Sequence, residues 1–263
     1  MKFKVEVDFS KANALFARLT GPEAKQAMAE ALNDAAWEGR RVLQQEVERS
    51  FDRPTPYIRR SIQVSRKATP DKLEAVVSAE YMGGKGIEPE KILQAEIFGG
   101  PRRPKRSEVA LRRVGILPDG YFLVPGQACP LDQYGNVKGS FIVQLISYFQ
   151  AFGEQGYRAN MTDRRKAKLR NKGKTERGYA TTMGVRYFIS YGKLRSGPTE
   201  HLHPGIWSAK GIHDSNVEPI LMFVKAPSYR KRLDFFGKPV QAAIDKFNPR
   251  LRFRMRSILE RRA

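Results

Sequence analysis

The chain has 263 residues, 41% of them hydrophobic and 29% charged, with a formal net charge of +21. That length and apolar content allow a buried core and exclude an intrinsically disordered chain. The charge is uneven: residues 1–98 hold 16 basic and 15 acidic side chains, whereas residues 99–263 hold 32 and 12. Such asymmetry points to a polyanion, or an acidic protein surface, as partner.

Residues 2–9, KFKVEVDF, alternate apolar and charged side chains and read as a half-buried strand. A short helix is expected over 10–19, with a break at Thr20, Gly21 and Pro22. From Pro22 to about Ser50 the pattern is helical. Ala24, Ala27, Met28, Ala31, Leu32 and Ala35 fall on one face at three- and four-residue steps. This small-residue face suits a core helix, and it also suits close packing against another subunit. Gly39 marks a bend or a tight contact.

The stretch DRPTPYIRRSI (52–62) is expected to stop the helix in extended backbone, because each proline restricts the residue before it. Strands follow over 60–66 and 73–81, joined by a turn at 69–71. Short helices are expected over 89–97 and 106–113, and a strand over 120–125. LDQYGN (131–136) reads as a turn in which Asp132 bonds its own backbone. A helix over 140–152 puts Ile142, Leu145, Ile146, Phe149 and Phe152 on one face.

Then comes DRRKAKLRNKGKTERG (163–178), in which eight of sixteen residues are Lys or Arg. It lacks apolar periodicity and contains two glycines, so a loop or frayed helix end is expected, inserted between 152 and 185. Strands follow over 185–191, 204–209 and 217–225. The basic segment 230–263 closes the chain as a pair of helices, one starting near Pro239 and a final one that Pro249 starts or kinks. The order predicts an α+β fold over 1–263 as a single domain. An antiparallel sheet carries the long N-terminal helix and the C-terminal helices.

No constellation of nucleophile, base and orienting group is present, and GGKG (83–86) lacks phosphate-loop spacing. His201, His203 and His213 match no zinc pattern. The lone Cys129 excludes an intrachain disulfide, fits a reducing compartment and has no activating neighbours. The reading is of a non-enzyme without catalytic residues, metal or cofactor. No apolar run reaches the ~20 residues of a helical membrane span. The N-terminus lacks a signal-peptide core, which predicts synthesis in the cytoplasm.

Candidate contacts to a partner or to nucleic-acid phosphates are Arg164, Arg165, Lys166, Lys168, Arg170, Lys172, Lys174 and Arg177. Arg250, Arg252, Arg254 and Arg256 form a second set. No sequence-reading nucleic-acid module is present. Non-specific DNA or RNA binding therefore stands as an alternative function.

Four groups of phrases carry a family likeness: AMAEALNDAAWEGRRVL (27–43); RPTPYIRRSI (53–62); IFGGPRRPKRSEVALRRVGIL with YFLVPGQACPLDQYGNVKGSFIVQLIS (97–147); and YFIS, HPGIWSAKG and VEPILMFVKAPSYRKRLDF in the last third. With them the chain resembles minor tail proteins of the Z type, the tail-completion proteins of lambdoid siphophages. The likeness implies a structural virion protein at the head-proximal end of the tail, acting in tail completion and head–tail joining. It implies tail-tube, tail-terminator or tape-measure proteins as partners, and genome DNA passing through the same channel. It also implies a ring of six copies, present in host cytoplasm before assembly. The stretch 163–178 is not part of the likeness.

Overall fold

The computed structural model describes residues 1–5, 22–80, 86–170, 174–176, 179–181, 184–211 and 214–260. The helix expected over 10–19 and most of GGKG lie outside them. In chain order the main elements begin with β1 (Lys2–Val5), α1 (Pro22–Ser50), α2 (Pro56–Ser61), β2 (Ile62–Arg66), β3 (Ala75–Ala79) and α3 (Pro89–Phe98). Next come α4 (Arg106–Arg113), β4 (Tyr121–Pro125), α5 (Gly139–Tyr148) and α6 (Asp163–Arg170). The chain ends with β5 (Lys174–Glu176), β6 (Tyr179–Thr181), β7 (Val185–Ser190), β8 (Gly205–Lys210), β9 (Asn216–Lys225) and α7 (Lys238–Glu260).

The fold is α+β, but the chain divides into two compact units where a single domain was expected. Unit 1 joins residues 1–100 to 229–263, and unit 2 spans 101–228. In place of the one expected sheet there are two larger ones, besides two-stranded ladders. Unit 1 holds a three-stranded antiparallel sheet in the order β1-β3-β2. Unit 2 holds a four-stranded antiparallel sheet in the order β4-β9-β8-β7.

In unit 1, α1 and α7 pack together along their small residues. Ala31, Ala35, Ala36 and Ala243 share a buried cluster with Leu32, Leu43, Val77 and Phe235. Gly39 is a tight contact rather than a bend. A Cβ built there stands 3.1 Å from the Pro239 carbonyl oxygen and 3.3 Å from both Ala243 Cβ and Phe3 Cζ. Before α7, the Asp234 carboxylate accepts from the backbone N–H groups of Lys238 (3.0 Å) and Gly237 (2.7 Å). This bonding to orphan helix donors holds its pKa below the ordinary aspartate value.

Two expectations in unit 1 are corrected. Residues 56–61 are helical, because Pro56 suits a first turn and Thr55, held extended before it, caps the helix through Oγ1 to the Ile58 N–H at 3.4 Å. The terminal helices are one: α7 runs through Pro249. Proline removes one helical hydrogen bond, and packing plus ion pairs beyond it hold the rest on α1.

In unit 2, Phe141, Leu145 and Ile146 of α5 pack with Ile206, Leu221 and Phe223 of the sheet. The LDQYGN turn is as expected: Asp132 Oδ1 accepts from the N–H groups of Tyr134 (2.8 Å) and Asn136 (2.9 Å). The stretch 163–178 differs from a loop. Its first half is α6, and β5 pairs with β6 in an antiparallel ladder. Thr162 starts α6 by accepting from the Arg165 N–H on its side chain and from the Lys166 N–H on its carbonyl.

The fully buried Glu108 ties α4 to β4. It accepts from Arg102 Nη1 (2.8 Å), the Lys105 N–H (2.6 Å) and the Leu123 N–H (2.9 Å). Burial acts to raise its pKa, but these donors outweigh burial and hold the carboxyl below its usual value.

Two outcomes follow from this packing. Gly39→Val overpacks the α1–α7 contact and costs about 1–3 kcal/mol, read as a lower urea midpoint with the slope unchanged. Glu108→Gln removes one partner of a buried ion pair and costs about 3–5 kcal/mol at pH 7. Because the Glu108 pKa is depressed, its contribution is present above the unfolded carboxyl value of about 4.3. It is lost as pH falls through the folded value. The gap between wild type and Glu108→Gln therefore closes on acidification, and equal urea midpoints at pH 7 would refute the role.

Candidate functional site

The most concentrated candidate is α6. None of its residues is buried, and Arg164, Arg165, Lys168 and Arg170 are exposed. Lys166 is half-buried, with Nζ 3.7 Å from Asp163 and 5.5 Å from the Tyr148 ring centroid. Arg170 lies 3.8 Å from Asp214, a carboxylate that Arg186 already binds at 2.8 Å. Among the described residues, Arg164, Arg165 and Lys168 form no ion pair. The Lys174 backbone lies in β5; its side chain, and all of Lys172 and Arg177, fall outside the described structure.

The base of α6 is firmly held. Ser147 donates from Oγ to the Ala159 carbonyl and accepts on its own carbonyl from the Met161 N–H. The Asn160 side chain bonds both the N–H and the carbonyl of Phe152, each at 3.1 Å. This leaves a short turn at 154–159 on which Tyr157 and Arg158 stand exposed, with Arg158 Nε donating to Tyr157 Oη at 3.2 Å. Sequence reasoning missed both residues. The available signal was an aromatic–basic pair just upstream of the basic run.

The second basic set divides in two. On α7, Arg250 and Arg254 are one turn apart and face Glu30 and Asp34, one turn apart on α1. Arg250 Nε binds Asp34 at 2.7 Å, Arg254 Nη2 binds Asp34 at 2.8 Å, and Arg254 Nη1 binds Glu30. Partial burial works to raise the Asp34 pKa, but the two guanidiniums lower it on balance. These arginines are spent inside unit 1 and are withdrawn as partner contacts. Arg252 and Arg256 point away and are exposed.

The small-residue face of α1 is likewise spent. Ala24, Ala27, Met28, Ala31, Leu32 and Ala35 are all buried within the chain. As folded, that face has no room for a second subunit.

A surface groove of about 600 Å³ lies beside β7, with Phe188, Leu202, Ala209 and Val217 among its lining. Arg186 and Arg195 line it too, each laid over an aromatic ring, Phe188 at 5.3 Å and Tyr191 at 5.2 Å. His201 and His203 are exposed, and His213 lies outside the described residues. Among the described residues, no three His, Cys, Asp or Glu side chains come together as a metal-binding group. No helix among them is long and apolar enough to cross a membrane. Cys129 is buried, and burial pushes its thiol pKa up.

The α1–α7 ion pairs make a salt-dependent contribution. Arg250→Gln with Arg254→Gln should cost about 1 kcal/mol in urea unfolding at low salt, and less at high salt, because partly exposed pairs are screened. A loss independent of salt would assign the effect to packing of the arginine stems instead.

No family model, curated protein or solved structure matches this chain.

Proposed function

We propose that this chain is a structural protein of a phage tail, acting at the head-proximal end in tail completion and head–tail joining. The observation that carries the reading is where the family-like phrases fall. They lie in α1, in α2 with β2, in the segment from α3 through α5, and in β7, β8 and β9 with the approach to α7. These are the elements that build both cores. The basic helix α6 lies outside them, as a variable addition to a shared framework would.

The exposed chemistry supports binding rather than turnover. Unit 2 holds 21 Lys and Arg against 9 Asp and Glu, and α6 is their densest exposed cluster. Six copies in a ring would carry six times the formal +21 of one chain. Ring closure is then favoured where an acidic neighbour or counterions offset the repulsion. The tail-tube, tail-terminator and tape-measure proteins are the partners proposed for that setting. The protein would pass from host cytoplasm into the virion on assembly.

Immunogold electron microscopy of induced-host particles tests this reading, together with a blot of denatured particles. Label at the head-proximal end of the tail is the expected result. Absence of the protein from denatured particles would reject a virion role and leave non-specific nucleic-acid binding as the reading.

A further inference from the structure

We infer that α6 is a contact surface for the phosphodiester backbone of duplex DNA. The inference gives the proposed tail component one partner, and rests on that reading for its biological setting. The contact itself belongs to the isolated chain and is tested there.

The first ground is that α6 is electrostatically disfavoured when left alone. Its first turn carries Arg164 and Arg165 beside the positive end of the helix dipole, where cations destabilise. Arg164 and Lys168, and Lys166 and Arg170, are like-charge pairs one turn apart, which destabilise further. Asp163 is the helix's only acid. Eight residues make a marginal helix, and no buried side chain supports this one. A line of phosphates would offset all of these costs together. On α7, by comparison, Arg250 and Arg254 already have carboxylates opposite them, which leaves Arg252 and Arg256 exposed there.

The second ground separates nucleic acid from an acidic protein. Protein interfaces take most of their affinity from a desolvated core of aromatic and apolar anchors. The outward side of α6 offers Arg164, Arg165, Ala167, Lys168 and Arg170, with Leu169 half-buried. There is nothing on it to bury against a protein. Phosphate contacts need no such core, and guanidiniums match phosphate geometry in a bidentate manner. Just upstream, Tyr157 Oη already accepts from Arg158, so its own hydroxyl proton is available for a phosphate oxygen.

The third ground is size and readiness. An eight-residue helix is about 12 Å long. Phosphates along one strand advance about 3.4 Å each along the duplex axis while winding around it, so α6 can face about two of them. The anchoring of 159–161 on α5 by Ser147, and of Asn160 on Phe152, presents the helix without a large ordering cost.

The test is fluorescence anisotropy of the full chain with a short labelled DNA duplex, across about 50–200 mM salt. The triple variant Arg164→Gln, Arg165→Gln, Lys168→Gln should reduce the slope of log K against log salt by about 2. Its far-ultraviolet circular dichroism should match wild type, since glutamine is a good helix former. A charge-matched variant at exposed positions of unit 1, Lys25→Gln, Arg60→Gln, Lys246→Gln, should leave the slope unchanged. Equal slopes for wild type and the α6 variant, or equal losses in both variants, would overturn the inference. So would polyglutamate competing as well as DNA through the same three residues, which would make the partner an acidic protein. Virion label with no DNA binding rejects only this inference, and DNA binding by a protein absent from denatured particles rejects only the tail reading.

Discussion

The close approach of α1 and α7 is the constraint on which unit 1 depends. Gly39 and the alanines at 31, 35, 36 and 243 bring two helix backbones near enough for Phe3, Leu43 and Phe235 to close over them. One partner comes from the start of the chain and the other from its end. Unit 1 is therefore incomplete until residues 229–263 return. The entropy of closing so long a loop rises only slowly with its length, so placing residues 101–228 within it adds little cost beyond that of a shorter insert. The topology thus lets a separately cored unit, with its own four-stranded sheet, sit inside the sequence of the first.

The helix pair also decides what its charges can do. Once Ala35 and Ala243 set the spacing, Glu30 and Asp34 come opposite Arg250 and Arg254, and the carboxylates are neutralised within the fold. Lys238 reaches the buried Glu46 of α1 at 3.2 Å. Farther along unit 1, Arg232 does the same for Glu96 at 2.9 Å. Four of the eleven Lys and Arg in 230–263 are thereby paired within the fold. In unit 2, Arg102 is drawn inward in the same way by Glu108, whose bonds to backbone N–H groups join a helix to a strand.

Most elements were legible because each follows a local rule. The spacing of α1 and the run of strand-forming residues in β7 are local signals, and α4 appears over the predicted range, whereas α5 stops at Tyr148, before Phe149 and Phe152 of its expected face. Proline carried an ambiguous signal. Read as a breaker, it hid the short helix after Thr55, and read as a start or a kink at 249 it left α7 as a pair of helices. What lay beyond reading was pairing at long range. The i, i+4 spacing of Glu30 with Asp34, and of Arg250 with Arg254, is visible in the sequence. That the two pairs face each other depends on how α1 and α7 cross. The same limit hid the division into two units: the charge shift after residue 98 falls beside the first boundary, but 229–263 stays basic, so nothing in composition marks the return to unit 1.

The contrast between α6 and α7 shows why charge density alone is a poor guide to a binding surface. Both carry arginines at helical spacing, and by count both qualified as partner contacts. The α7 arginines at 250 and 254 cover carboxylates, so exposing them to an outside polyanion would first require breaking those pairs and would leave Asp34 without its compensation. The α6 cations at 164, 165 and 168 have no such debt among the described residues. An outside anion meets them at no internal cost, and it relieves their mutual repulsion as well. The quantity that ranks a basic segment as a binding site is thus the work needed to free its charges. By that measure, among the described residues, α6 offers three such cations on one short helix, against Arg252 and Arg256 on α7.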